Sequence, residues 1–325
     1  MKVFLTGGTG FIGSHVVSRL SKAGHEPCCL VRLTPSSGPA AGFGIHRIRG
    51  DLSDREALRQ GMVGCDCVIH LAAAYSYWMP DRRAFREVNV EGTRNVMECA
   101  LEVGVPKVVM VSSVVTYGQP AEKPVTEETP VGPVRYSEYA RTKYEGESIA
   151  WDLRESKGLP LVALYPGAVL GALDPKPSGE YIQAVVTRRM PVRILEGAVF
   201  PFVYVGDVAK AIVRAAERPD NLGAKYFVVG ENLTFGQINR MIAEISKVPS
   251  PVMRLPGPLV VAVAAFLTLV ADITKKPPPW GLSADQVATM RKGTSFSGGK
   301  AERELGISYT PIRQAIEEAV ASYRN

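Results

Sequence analysis

The chain has 325 residues, 46% of them hydrophobic and 22% charged, with a net charge of +6. That composition belongs to a globular protein with a sizeable core and excludes a disordered or collagen-like chain. Its basic residues are scattered in short pairs such as Lys275-Lys276 and Arg291-Lys292, so no nucleic-acid partner is expected, whereas an anionic cofactor or a membrane surface suits the balance. Cys28, Cys29, Cys65, Cys67 and Cys99 are odd in number and lack metal-ligand spacing. They read as reduced thiols of a cytoplasmic protein, and four scattered histidines add no metal site. No signal peptide is expected, because a glycine-rich turn interrupts the short apolar start.

In chain order, residues 3–6 form an apolar run that stops at glycine. Phe11, Ile12, Val16, Val17 and Leu20 then recur at helical spacing up to Ala23-Gly24. Residues 28–31, 45–48 and 67–71 read as the second, third and fourth strands, with a helix between the last two seeded by Ser53-Asp54. A long helix is expected over 81–103, a fifth strand over 108–111, a helix over 139–157 and a sixth strand over 161–164. Apolar strands alternating with helices imply an α/β fold, with a parallel sheet covered on both faces. After Tyr165 proline and glycine loosen the pattern, although "YVGDVAKAIVRAAE" reads as a helix and "KYFVVGE" as a strand. Farther on, "TFGQINRMIAEIS" is a helix capped by Thr234, and two amphipathic helices close the chain. We therefore expect a doubly wound Rossmann domain over 1–165. A smaller substrate lobe over 166–325 is interleaved with the last sheet strands.

The stretch "VFLTGGTGFIGSHVV" sets Gly7, Gly10 and Gly13 between a strand and a helix. Gly7 permits the sharp turn, Gly10 lets the backbone approach a pyrophosphate, and Gly13 lets the helix pack close. The helix N-terminus then offers free N–H groups and a positive dipole end to the phosphates. Rossmann proteins that bind NAD place an acid at the end of the second strand, yet Arg32 stands near that position. An arginine there pairs with a 2′-phosphate, so NADP is the expected cofactor and NAD the alternative. Asp51 and Leu52 would border the adenine.

With these features in place, the chain resembles the extended short-chain dehydrogenase/reductases, the NAD-dependent epimerase/dehydratase family. The matching stretches run in order over residues 3–209: "TGGTGFIG", "GDLSD", "HLAA", "NVEGTRNV", "SSVVTYG", "YARTK", "YPGAVLG" and "YVGDVA". "AAAYSYW", "DPKPSG", "ENLTF" and "KAERELG" look most like the dihydroflavonol-reductase-like branch, which includes hopanoid-associated epimerase-like proteins. The resemblance implies that Tyr139 and Lys143 are the family's catalytic pair, Ser113 its serine and Asn89 its helix asparagine. It also implies that Phe11, Ile12, Leu71, Ala72, Ala73, Pro166, Gly167 and Val169 line the cofactor, and that relatives form homodimers. Chemically, a phenol of pKa about 10 is a poor base at neutral pH. An ammonium one helical turn away and an oxidised nicotinamide would favour the phenolate. In ketone reduction Tyr139 would give the proton while Ser113 orients the carbonyl oxygen.

Many nucleotide-sugar members carry an Arg-Asp pair where Phe200 and Pro201 stand here, and a phenylalanine cannot neutralise a diphosphate. Lys176, Arg188, Arg189 and Arg193 are the cations that could replace it. Tyr75, Tyr77, Trp78 and Met79 follow the fourth strand on the substrate side. Tyr75, Trp78 and Phe200, with Ser113 and Tyr139, are therefore the expected substrate contacts. They suit a hydrophobic ketone or aldehyde reduced by NADPH; a sugar or nucleotide-sugar epimerase or dehydratase is the alternative. Lastly, residues 259–271 are an uncharged apolar run, shorter than the roughly 20 residues that span a bilayer. The first expectation is a buried or pocket-covering helix. The second is peripheral membrane contact through 255–280, with Lys275-Lys276 and Trp280 at the interface.

Overall fold

The computed structural model describes residues 1–32, 45–251 and 253–323. Its first half alternates strand and helix: β1 (Lys2–Thr6), α1 (Phe11–Lys22), β2 (Glu26–Val31), β3 (His46–Arg49), α2 (Arg55–Met62) and β4 (Cys67–His70). A helical run follows as α3 (Arg83–Arg86), a π turn (Glu87–Gly92) and α4 (Thr93–Val103). After it come β5 (Val108–Val111), α5 (Glu138–Lys157), β6 (Leu161–Pro166), β7 (Ala168–Leu170), α6 (Pro177–Val186), β8 (Val199–Tyr204) and α7 (Val205–Glu217). The chain ends with β9 (Lys225–Val228), β10 (Glu231–Thr234), α8 (Phe235–Ser246), α9 (Gly257–Thr274), α10 (Ala284–Arg291), α11 (Gly299–Leu305) and α12 (Ile312–Ser322).

Seven strands form one parallel sheet in the order β3-β2-β1-β4-β5-β6-β9. The order reverses between β1 and β4, and the crevice at such a point is where α/β sheets bind ligands. Alternate residues of β1 face opposite sides. Val3 and Leu5 enter the core under α1 and α7 with Val16, Leu20 and Ile212. Phe4 enters the core under α2, α4 and α5 with Leu58, Met97, Ala150 and Leu153. A second sheet, β10-β8-β7, is packed by α6, α8 and α12 through Leu170, Phe202, Leu233, Ile238 and Ile316.

Local signals explain most boundaries. Asp54 caps α2 by accepting from the Ala57 N–H, and Thr234 and Gln237 form a capping box on α8. The helix expected over 81–103 starts instead at Arg83, whose N–H donates to the Asp81 side chain, and it contains the π turn. β7, β8, α6 and β10 were not expected; they lie where proline and glycine obscure periodicity. Asp207 of "YVGDVA" is a staple: its carboxyl accepts from the Thr310 N–H and hydroxyl, pinning α7 to the segment before α12.

The apolar run near the end corrects the first expectation for it. α9 buries Val260 and Ala264 against Ile194, Leu282 and Val287, and buries Ala271, but turns Leu259, Phe266, Leu269, Val270 and Ile273 outward. It is a half-covered surface helix, because its apolar residues surround it while the protein meets one face only.

Candidate active site

The carboxyl ends of β1, β2, β4, β5 and β6 open into a cleft of about 690 Å³. Its floor begins at the glycine loop. Gly7 has φ +74°, and a Cβ there would lie 2.7 Å from the Ala72 nitrogen; a Cβ on Gly13 would lie 2.1 Å from the Gly7 oxygen. Both positions therefore demand glycine. Gly10 caps α1 in extended backbone with no side-chain bond, which leaves the first-turn N–H groups for an anion. A dinucleotide fits this cradle: Gly7, Gly10, Phe11, Ile12 and Gly13 would hold its pyrophosphate, and Leu71, Ala72 and Ala73 lie alongside on the same cleft wall.

At one end of the cleft stand Arg32, Asp51 and Leu52. Asp51 accepts from the Ser53 N–H at 2.8 Å and the Ser53 hydroxyl at 2.6 Å, and these bonds hold its pKa below the ordinary value. Arg32 is exposed beside it. At the other end Ser113, Tyr139 and Lys143 meet Pro166, Gly167, Val169, Tyr75 and Phe200. Ser137 caps α5, and the four-residue spacing puts Tyr139 and Lys143 on one face of it.

Burial pushes the Tyr139 phenol up, and the neighbouring Tyr77 adds to this, while a hydrogen bond with Ser113 opposes them. The phenol therefore holds its proton here, as a general acid must. The Lys143 ammonium is engaged elsewhere, donating to the Val111 carbonyl at 2.9 Å. Burial lowers Lys143 to about 8, and Glu147, a turn farther along α5, partly restores it. Glu147 escaped the sequence reading. Its carboxylate is buried and accepts from Ser112 and from Tyr165, each at 2.6 Å. The signal was available: positions 139, 143 and 147 repeat every four residues and share one helix face.

Asn89 does not line the cleft. It sits behind the wall, fully buried in the π turn, where its side chain accepts from the Ala74 N–H and donates to the Ala74 carbonyl and the Thr142 hydroxyl. It thereby fixes the loop after β4 against α5. Trp78 is a correction: it faces away from the cleft, and its indole donates to Asp272 of α9 at 2.9 Å. Tyr77 and Met79 line the cleft around it, because alternate residues of an extended loop face opposite sides. The Tyr75 ring lies 4.8 Å from that of Tyr139. Asp174, which also lines the cleft, escaped the sequence reading. Burial pushes Asp174 up to about 6, against bonds from Ser178, Lys176 and Gly179. Of the four cations weighed for a diphosphate, Lys176 lines the cleft and Arg188, Arg189 and Arg193 do not.

The family model for the NAD dependent epimerase/dehydratase family matches residues 3–230. A Synechocystis sp. protein provisionally named dihydroflavonol 4-reductase is 31% identical over 330 residues, covering 99% of this chain and 94% of that protein. A Stigmatella aurantiaca protein named as a 4-hydroxy-2-methyl-3-oxo-4-farnesyl-3,4-dihydroquinoline-1-oxide ketoreductase is 31% identical over 232 residues, covering 70% and 68%. Among solved structures, the crystal structure of gox2253 superposes with a TM-score of 0.84 at 33% identity, covering 99% of this chain and 97% of that one.

Proposed function

Because the chain belongs to the NAD dependent epimerase/dehydratase family, as an NAD(P)-dependent enzyme of the extended short-chain type, we propose that it reduces a ketone or aldehyde on a hydrophobic small molecule, using NADPH. The observation that carries this is the lining of the substrate end. Tyr75, Tyr77, Met79 and Phe200 surround the Ser113–Tyr139 pair, and Lys176 is a second cation on that side, beside Lys143. Lys176 lies 5.9 Å from the centre of the Tyr75 ring, so even that charge sits over an aromatic face. Such a wall suits a large apolar carbonyl compound better than a diphosphate. Arg32 supports NADPH over NADH, since it can pair with a 2′-phosphate.

The bound nicotinamide would supply the hydride. Ser113 donates a hydrogen bond to the carbonyl oxygen and orients it. Tyr139 gives its proton to that oxygen as the alcohol forms. Lys143 keeps a positive charge near the developing phenolate, and its ammonium can hold the cofactor's ribose. The family also contains epimerases and dehydratases, so the test must separate them from a reductase. Purified protein with NADPH and a panel of carbonyl compounds should consume NADPH and form alcohol in equal amounts, fastest with the apolar members. Tyr139→Phe should lower turnover by about 10²–10⁴ while retaining NADPH. Conversion of a nucleotide sugar with no net loss of NADPH would overturn the proposal.

A further inference from the structure

Helix α9 is apolar on its outward face as well as on its buried one. Its outward stripe is Leu259, Ala262, Ala265, Phe266, Leu269, Val270 and Ile273, with Phe266 64% and Ile273 73% exposed. Two of its polar side chains, Thr268 and Asp272, are bonded to neighbouring segments. Thr268 accepts from the Ala284 N–H, and Asp272 accepts from the Trp78 indole and from Arg82. A surface helix in water turns a polar face outward instead. Apolar side chains this exposed over 18 residues mark a surface that something else covers.

The charges around the stripe identify the cover. From Met253 to Lys292 the chain carries Arg254, Lys275, Lys276, Arg291 and Lys292 against only Asp272 and Asp285. Both acids are bonded to the protein: Asp272 as above, and Asp285 by accepting from the Glu138 N–H. Lys275, Lys276, Arg291 and Lys292 are exposed, and Trp280 stands half-exposed beyond the helix. An apolar stripe with a basic margin and an interfacial tryptophan complements an anionic bilayer surface. At 18 residues and a mean hydropathy of 2.0, the helix is long and apolar enough to cross a membrane. Val260, Ala264 and Ala271 are nevertheless packed on protein, so a crossing would tear that face from its core. We propose that α9 lies in the plane of an anionic membrane, with its outer stripe among the acyl chains and Lys275-Lys276 on the headgroups.

This docking would also place the substrate cleft. Trp78 is tied to Asp272, and the Tyr77 carbonyl accepts from Ser283, so the loop that lines the substrate end is fastened to the α9–α10 unit. A carbonyl compound dissolved in the bilayer would thus meet the cleft beside its anchor. That extension rests on the reductase reading; the docking itself does not.

The experiment is flotation of the full chain with two vesicle types, phosphatidylcholine alone and an equal mixture of phosphatidylcholine with phosphatidylglycerol. Wild type should float with the vesicles, and more completely with the anionic mixture. The double variant Phe266→Glu with Leu269→Glu should lose binding to both by about tenfold or more. Lys275→Glu with Lys276→Glu should lose mainly the advantage of the anionic mixture. Each variant should still bind NADPH, measured by cofactor fluorescence, which shows that it has folded. Wild type left wholly in the soluble fraction would overturn the proposal. So would a wild-type dimer that Phe266→Glu with Leu269→Glu turns into a monomer, since a second copy would then cover the stripe. Flotation does not depend on turnover, so docking without carbonyl reduction would count against the reductase reading alone.

Discussion

At the scale of single residues, the site is governed by how burial sets protonation. Tyr139 keeps its proton and Lys143 is brought down to about 8 by desolvation. Glu147 is the counterweight, raising Lys143 from the next turn of α5. Changing Glu147 to glutamine removes that charge while leaving an oxygen for Ser112 or Tyr165. Lys143 should then lose its proton at a lower pH, and the basic limb of the kcat/KM profile should move acidward from about 8. The linkage has a definite sign. The folded pKa lies below the ordinary 10.5, so between about 8 and 10.5 the unfolded chain binds the extra proton and stability rises with pH. In Glu147→Gln that rise should begin lower. A profile whose limb stays in place in the variant would remove Glu147 from the role. Tyr139 and Lys143 could be paired from their helical spacing, whereas their role and Ser113 came from the resemblance of "YARTK" and "SSVVTYG" to the family's stretches. Glu147 and Asp174 were not legible, because an acid in a sequence looks solvated until the fold buries it.

At the scale of elements, the π turn and α5 act as one part. A Cβ on Gly146 would lie 2.0 Å from the Asn89 carbonyl oxygen, a backbone atom with no easy way to give. Gly146→Ala should therefore destabilise the chain by about 1–3 kcal/mol in denaturant unfolding. It should also lower turnover, because pushing the π turn away loosens the Asn89 bonds to Ala74 and Thr142. Stability unchanged in Gly146→Ala would show that the contact relaxes freely. The alternating pattern of strands and helices was readable up to Tyr165, but the π turn was not, since no residue type marks the switch to i→i+5 bonds over so short a stretch. Trp78 shows the converse limit. Its composition fitted a substrate wall, and only the three-dimensional path of the loop reveals that it binds α9 instead.

At the scale of the whole molecule, the two sheets are stitched by chain crossings. β6 runs almost directly into β7, and after β8 the chain returns to the main sheet through α7 and β9. α7 and α1 bury one continuous core over β1, with Ile212 and Val208 beside Val16 and Leu20. The cleft draws Gly10 and Arg32 from one side and Phe200 and Asp174 from the other. Heat should accordingly unfold the chain in one cooperative transition, and a bound dinucleotide should move all of it. NADPH at a hundred times its Kd should add about 2.7 kcal/mol, visible as a rise in Tm. NADH at the same concentration should add less, because Arg32 then has no 2′-phosphate to pair with, and Arg32→Ala should erase the difference between the two cofactors. Two transitions, with only one moved by NADPH, would mean that the lobe melts apart from the main sheet. An equal or larger rise with NADH would instead leave Arg32 as a solvated residue at the mouth of the cleft.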